Sequence, residues 1–375
     1  MGPLFIINAC KTFGCRNLGR AASPDYIWPD YRLGYPALHC RACGSYPPLF
    51  NDQEFQPWVS TCLSQYARDY GHFCPRCYQT NIIHYGHNPS GTQRIQCQHC
   101  KSVWTPKQQP LKSYALPETI CTIPLIISFQ GARADQKLYF LLSFDSVSGN
   151  VIHTSSNFTP HQAGPSLHYR WKGSAPAQPE HSDIIQRVSL RERQFLQRSQ
   201  FDDIQYGAAS LKRNANGSIL RPVITAHGHF RVLKVLFPNV KTHVVAHDCF
   251  LRGAAITAWA ELFRHHRASL WFIDEEIHDE ACQAPWQLLG KTKQGWWQNQ
   301  WQLWGQGNNR KMICPLTECV QEDGATLSMA ASRRFTAWLQ QQPEIQQSAR
   351  FSAARVTTII SDLAATYNLL QRCAP

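Results

Sequence analysis

Apolar residues fall along the chain in short blocks divided by Pro, Gly, Asn and Ser, and only a few stretches carry helical spacing. The strongest block, residues 137–157 (KLYFLLSFDSVSGNVIHTSSN), predicts a buried strand ending at Asp145, a turn at Ser148 and Gly149, and a second strand over 150–155. Residues 241–248 (KTHVVAHD) predict a short strand closing on Asp248. A helix from about 254 to 266 follows, and then an apolar run, 270–273, that ends in Asp274, Glu275 and Glu276. Helical periodicity appears over 54–70, with Trp58, Cys62 and Tyr66 on one face, and over 328–342 and 349–371, while a further helix follows the segment 219–224 and runs up to Phe237. The last of these aligns Val356, Ile359, Ile360, Leu363, Tyr367 and Leu370. Strands alternating with helices in the middle of the chain indicate an α/β class.

Cysteine placement changes the picture at the front. Cys74 and Cys77 form one pair and Cys97 and Cys100 another, with nineteen residues between them. That spacing lets two tight turns deliver four thiolates to one tetrahedral ion. Between the pairs, 82–85 reads as a strand, 88–91 as a turn and 93–96 as the returning strand. So small a hairpin buries too little apolar surface to fold alone, and a structural zinc supplies on the order of 10 kcal/mol. His99 lies between the last two cysteines and is expected to be solvated. Cys10, Cys15, Cys40 and Cys43 repeat the theme: 34–40 reads as a strand feeding the second pair and the Pro- and Asp-rich stretch 23–31 as a loop. Two structural zinc ions are therefore expected. Cys62 reads as a buried thiol, and Cys314 with Cys319 lacks the second pair that a third zinc needs.

Charge points to a polyanion. The 375 residues carry a formal net charge of +12 with only 17% charged residues, so the excess is a basic balance and not a charge-rich composition. Arg41, Arg76, Arg94 and Lys101 sit on the two cysteine modules, where they would contact phosphates or form a solvated face, and Tyr85 and Trp104 read as packing the ribbon's core, with stacking on bases the alternative. No run of about 18 apolar residues is present, and the apolar start Leu4, Phe5, Ile6, Ile7 is too short for a signal segment. The expected setting is cytoplasmic and nucleoid-associated, with reduced cysteines and no membrane partner.

The phrase Tyr85-Gly86, Gly91-x-Gln93-Arg94, Cys97-x-x-Cys100 and Trp104 resembles the amino-terminal zinc ribbon of bacterial insertion-sequence transposases. The upstream phrase from Cys10 through Asn17-Leu18-Gly19 to Cys40-x-x-Cys43-Gly44 is similar to a sister ribbon. The resemblance implies a DNA-binding module ahead of an RNase H-like mixed-sheet core of the DDE type. Asp145, Asp248 and Glu276 would then be its catalytic acids, with Glu275 and Glu280 competing for the third place. Such acids would hold Mg2+ or Mn2+ for two-metal phosphoryl transfer. Asp248 and Glu276 are about thirty residues apart, which suits that family. For each acid, a turn-capping or helix-capping carboxylate is the alternative.

The organisation expected is a first ribbon over 1–50, a linker helix over 51–72, a second ribbon over 73–108 and a connector over 109–136. An RNase H-like domain over 137–282 with an insertion at 158–218 follows, then a Trp- and Gln-rich segment and C-terminal helices over 283–375. The connector shows no helix-turn-helix. The insertion contains a basic amphipathic piece at 187–200 and a Pro/Ser/Ala-rich loop at 173–179. His227, His229, His243 and His247 read mainly as packing or hydrogen-bonding residues. Trp286, Trp296, Trp297, Trp301 and Trp304 read as core anchors, with stacking on unpaired bases the alternative. The C-terminal helices fit a DNA-binding, dimerisation or core-capping role. Two functions remain open: a transposase cutting and joining DNA ends, or a catalytically degenerate relative acting as a sequence-specific regulator, targeting or defence factor, with a homodimer or other protein partners in a larger complex.

Overall fold

The computed structural model describes residues 5–32, 36–108, 116–130, 137–161, 183–201, 217–294, 299–318 and 323–373. In the first module β1 (Tyr26–Asp30) and β2 (Ala37–Cys40) pair antiparallel. β1 occupies the stretch expected to be a loop. Its start is held by the Tyr26 ring, which is buried while its hydroxyl donates to the carbonyls of Asn17 and Arg20. Helix α1 (Asp52–Tyr70) ends at Gly71, whose φ of +73° suits a left-handed cap. The second module is a three-stranded sheet of β3 (Ile82–His87), β4 (Gln93–Cys97) and β5 (Val103–Trp104).

The core begins earlier than the apolar pattern indicates. β6 (Thr119–Ile127) lies within the expected connector and runs antiparallel to β7 (Leu138–Asp145), which pairs in turn with β8 (Val151–Ser156). Pro124 obscures β6 in the sequence, because proline is excluded from most central strands. Here it is tolerated because pairing on the other side of β6 stops at Thr122. β9 (Phe158–Thr159) and β10 (Ser218–Ile219) pair across the insertion, which contributes helix α2 (Ile184–Phe201); its 173–179 loop lies outside the described residues.

Helix α3 (Pro222–Leu236) starts with proline at its first turn, where the missing N–H costs nothing. It leads through β11 (Thr242–Ala246), α4 (Cys249–Ala258) and α5 (Ala260–Arg264) to β12 (Ser269–Glu276). The Trp-rich stretch then forms β13 (Gln287–Gln294), β14 (Asn299–Gln306) and β15 (Asn309–Pro315). Helices α6 (Ala330–Gln340), α7 (Pro343–Gln346) and α8 (Ala353–Cys373) end the chain.

Among the described residues eight strands make one mixed sheet in the order β13-β14-β15-β12-β11-β6-β7-β8. β6, β11 and β12 are parallel, and every other neighbouring pair is antiparallel. One face packs against α3, α4 and α5 through Phe230, Leu251, Trp259 and Phe263. The other is covered by α6 and α8 through Phe335, Val356, Ile360 and Tyr367, a core-capping role for these helices. Trp301 is fully buried in the first layer, and Trp304 packs half-buried against the second; Trp296 and Trp297 lie outside the described residues.

Both cysteine modules are fastened to this core. α1 buries Phe55, Val59, Leu63 and Ala67 in a cluster shared with Leu220, Val223 and Ile224, while Trp58 and Tyr66 lie half-buried beside them. One predicted face is thus two, because α1 is wedged between the second module and α3. From the first module, Leu18 joins the main core; its carbonyl accepts from Arg264, and the Lys11 carbonyl accepts from Arg252 at 2.9 Å.

Candidate zinc centres and the acidic rim of the sheet

In the first module Cys10 and Cys15 come from a loop, and Cys40 and Cys43 from the knuckle after β2, where Gly44 takes a φ of +71°. The sulfurs of Cys10 and Cys43 are 3.6 Å apart and those of Cys15 and Cys40 3.8 Å. In the second, Cys74 and Cys100 stand at 3.4 Å and Cys77 and Cys97 at 3.6 Å. Within each set all four sulfurs lie within 4.8 Å of one another. Four thiolates around one zinc at ≈ 2.3 Å have S···S edges of about 3.8 Å, whereas a disulfide would hold two sulfurs at about 2.05 Å. Both quartets therefore fit a tetrahedral zinc, and the tight turns around them follow from the spacing. Burial pushes the Cys74 thiol up to about 12, and the Ser102 backbone N–H draws Cys100 down to about 7. Arg41, Arg76 and Lys101 are exposed on these modules; Arg94 is half-buried, its guanidinium 5.7 Å from the centre of the Tyr85 ring.

The three acids named from the sequence do not converge. Asp145 lies opposite Ile120, which is level with His243 in β11. Asp248 is five residues farther along, roughly 16 Å away at the rise of an extended strand. Asp145 thus sits at the end of the sheet where β6 and β11 begin, and Asp248 at the end where they finish. Asp145 accepts from the Val147 N–H at 3.1 Å and from the Ser148 hydroxyl at 2.6 Å, closing the β7–β8 turn. Asp248 caps α4 by accepting from the Phe250 N–H at 2.8 Å. Glu276 shares the Asp248 end, 3.5 Å from Arg187 and 3.0 Å from His278.

Asp274, Glu192, Arg187 and Arg191 organise that end, and none was singled out as a site residue from the sequence. Asp274 is 6% exposed and takes Arg187 at 2.9 Å and Arg191 at 2.5 Å, both from α2. One helical turn separates the two arginines, so one helix face presents both. The next residue, Glu192, is buried and accepts from His247 Nε2 at 3.1 Å, Asn299 at 2.9 Å and Trp301 Nε1 at 3.2 Å. Burial opposes its ionisation, but these donors hold its carboxyl below the usual range, and burial lowers His247. On the opposite face Glu275 accepts from the Met329 N–H and pairs with Arg333, which also holds Glu280. The i, i+4 arginines were the available signal, but only the fold shows which carboxylate they meet.

The neighbouring histidines are structural. His229 bridges Ser143 and Ser155 at 2.8 and 2.7 Å, and His243 packs 4.1 Å from the Trp259 ring centre. Burial lowers His227 and His229 well below the ordinary range, and His243 to about 3.

No protein-family profile matches the chain, and no curated protein does. Among solved structures, a piggyBac transposase synaptic complex with hairpin DNA is similar at 8% identity and a TM-score of 0.27. The match covers 71% of this chain and 50% of that one, so this chain spans about half of that protein's length. Among the described residues no helix is long and apolar enough to cross a membrane.

Proposed function

We propose that this is a zinc-stabilised DNA-binding protein on a transposase-like plan, whose central sheet no longer assembles a two-metal acid site. Three antiparallel strands followed by two parallel ones, β8-β7-β6-β11-β12, is the order of an RNase H-like core, and this supports that fold reading. In such a core the metal-holding acids gather where β6 and β11 finish. The residues of β6 at that end are Ile123, Pro124 and Leu125, which offer no carboxylate. The observation that carries the reading is Asp274 held by two guanidiniums: cations of the chain itself neutralise the rim where metal ions would need free oxygen ligands. The basic balance and the cations on the zinc modules favour a duplex partner, with a regulatory, targeting or defence role.

The test uses the full zinc-loaded chain, a labelled duplex pool and supercoiled plasmid, with Mg2+ or Mn2+. Duplex binding that falls steeply with salt, without metal-dependent nicking, is expected. Nicking abolished by Asp248→Asn would restore the recombinase reading. Absence of duplex binding even at low salt would remove the DNA reading itself.

A further inference from the structure

The hairpin of the second zinc module is exposed far beyond what a structural ribbon needs. From Ile83 to Thr92 every residue except Asn88 is exposed, on both faces of β3, and β3 is an edge strand of its sheet among the described residues. Ile83 and Tyr85 are 43% and 46% exposed and lie two residues apart, hence on one side of the strand. Tyr85 has only the Arg94 guanidinium over its ring, at 5.7 Å, among the described residues, and large apolar groups left so open on a strand mark a contact surface.

The tip is nevertheless braced by its own hydrogen bonds. Asn88 Oδ1 accepts from the Thr92 N–H and the Ser90 hydroxyl, each at 2.8 Å, and Gln93 reaches across to the Gly86 carbonyl at 2.7 Å. The β3–β4 register slips between His84 and His87, where Gly86 takes a φ of +65°. Such a bulge twists the ribbon and re-aims the residue beside it, here Tyr85. Pre-organisation of this kind lowers the ordering cost of binding.

Charge identifies the occupant. No Asp or Glu occurs between Asp69 and Glu118, while Arg76, Arg94, Lys101, Lys107 and Lys112 lie in that interval. These outweigh the charge of about −2 of a zinc tetrathiolate. Arg76 and Lys101 are exposed on the two knuckles, 74–77 and 97–100, that flank the hairpin in sequence. The B-DNA major groove, about 12 Å wide, admits a two-stranded ribbon, whereas the major groove of A-form RNA is too narrow.

Resting on the DNA-binding reading above, we infer that the β3–β4 hairpin enters the major groove of duplex DNA. Ile83 and Tyr85 meet thymine methyl groups there, and His84 meets base edges, so that sequence is read by this strand and not by the core.

The experiment selects duplexes from a randomised pool with the full zinc-loaded chain, then maps guanine N7, which faces the major groove, and adenine N3, which faces the minor groove, by methylation protection. Protection of N7 within a recovered consensus is expected. The Ile83→Ala/Tyr85→Ala variant should keep both zinc ions but lose about tenfold or more in its preference for the consensus over arbitrary duplex. Protection confined to adenine N3, unchanged preference in the variant, or recovery of no consensus would overturn the inference while leaving DNA binding intact. Tighter binding to RNA or single strands than to duplex would also overturn it. Failure of the wild-type chain to bind any nucleic acid would instead sink the underlying reading.

Discussion

Gly19 lies so close to Ala260 that a Cβ on the glycine would stand 2.4 Å from the alanine Cβ. The first cysteine loop therefore meets α5 at backbone distance, and glycine is required twice over, because its φ is +64°. Gly19→Ala should cost about 1–3 kcal/mol through overpacking, in addition to backbone strain. Gly44→Ala, with a left-handed φ but nothing within 4 Å, should cost less. Urea unfolding of the two variants checks the order.

Zinc content should be two equivalents per chain by elemental analysis. Cys40→Ser should leave one and destabilise the sheet, because Leu18 from that module is part of the main core. Cys97→Ser should also leave one, but free the hairpin without removing Leu18. Equal losses of core stability in the two variants would contradict the docking described for the first module.

The Asp274 cluster predicts an asymmetry. Arg187 and Arg191 side chains are 22% and 32% exposed, so they reach water when Asp274→Asn removes their partner. The reverse change, Arg187→Ala with Arg191→Ala, strands a buried carboxylate and should cost about 3–5 kcal/mol. Thermal or denaturant unfolding should rank the arginine pair as the more damaging. A gain in Mn2+ affinity in that variant, measured calorimetrically, would show that the rim retains a cation site beneath its arginines.

Buried histidines set the acid limit. Burial holds His153 and His243 at about 3, below the ordinary value near 6.5, so the unfolded chain binds more protons between those limits. Their neutral forms contribute stability that is complete above about pH 6.5 and lost as pH falls toward 3, by about 1.4 kcal/mol per pH unit for each. Denaturant midpoints from pH 7 to 4.5 should fall accordingly, and His243→Asn should flatten the slope.

Legibility in the sequence followed local chemistry. Four-cysteine spacing is a local property, and both quartets come together; the strands at 137–157 and the 241–276 region likewise carry their own pattern. β6 was hidden because Pro124 contradicts a central strand unless one knows that β11 stops short of it. Register hid the acids: Asp145 ends an antiparallel strand, so the sequence order strand-then-acid places it at the opposite end from Asp248. The roles of Asp274 and Glu192 were invisible because their partners, Arg187 and Arg191 for the first and His247, Asn299 and Trp301 for the second, lie more than fifty residues away in sequence, and no periodicity encodes which helix covers a strand end.

The late arrival of β11 beside β6 also shapes how the chain must fold. Thr119 waits for Thr242, more than a hundred residues downstream, while β6, β7 and β8 can zip together as soon as they leave the ribosome. Until then one side of that meander stays unpaired, and long-range pairings close slowly. During synthesis, the nascent protein passes through an interval in which an open β-edge is its most adhesive surface.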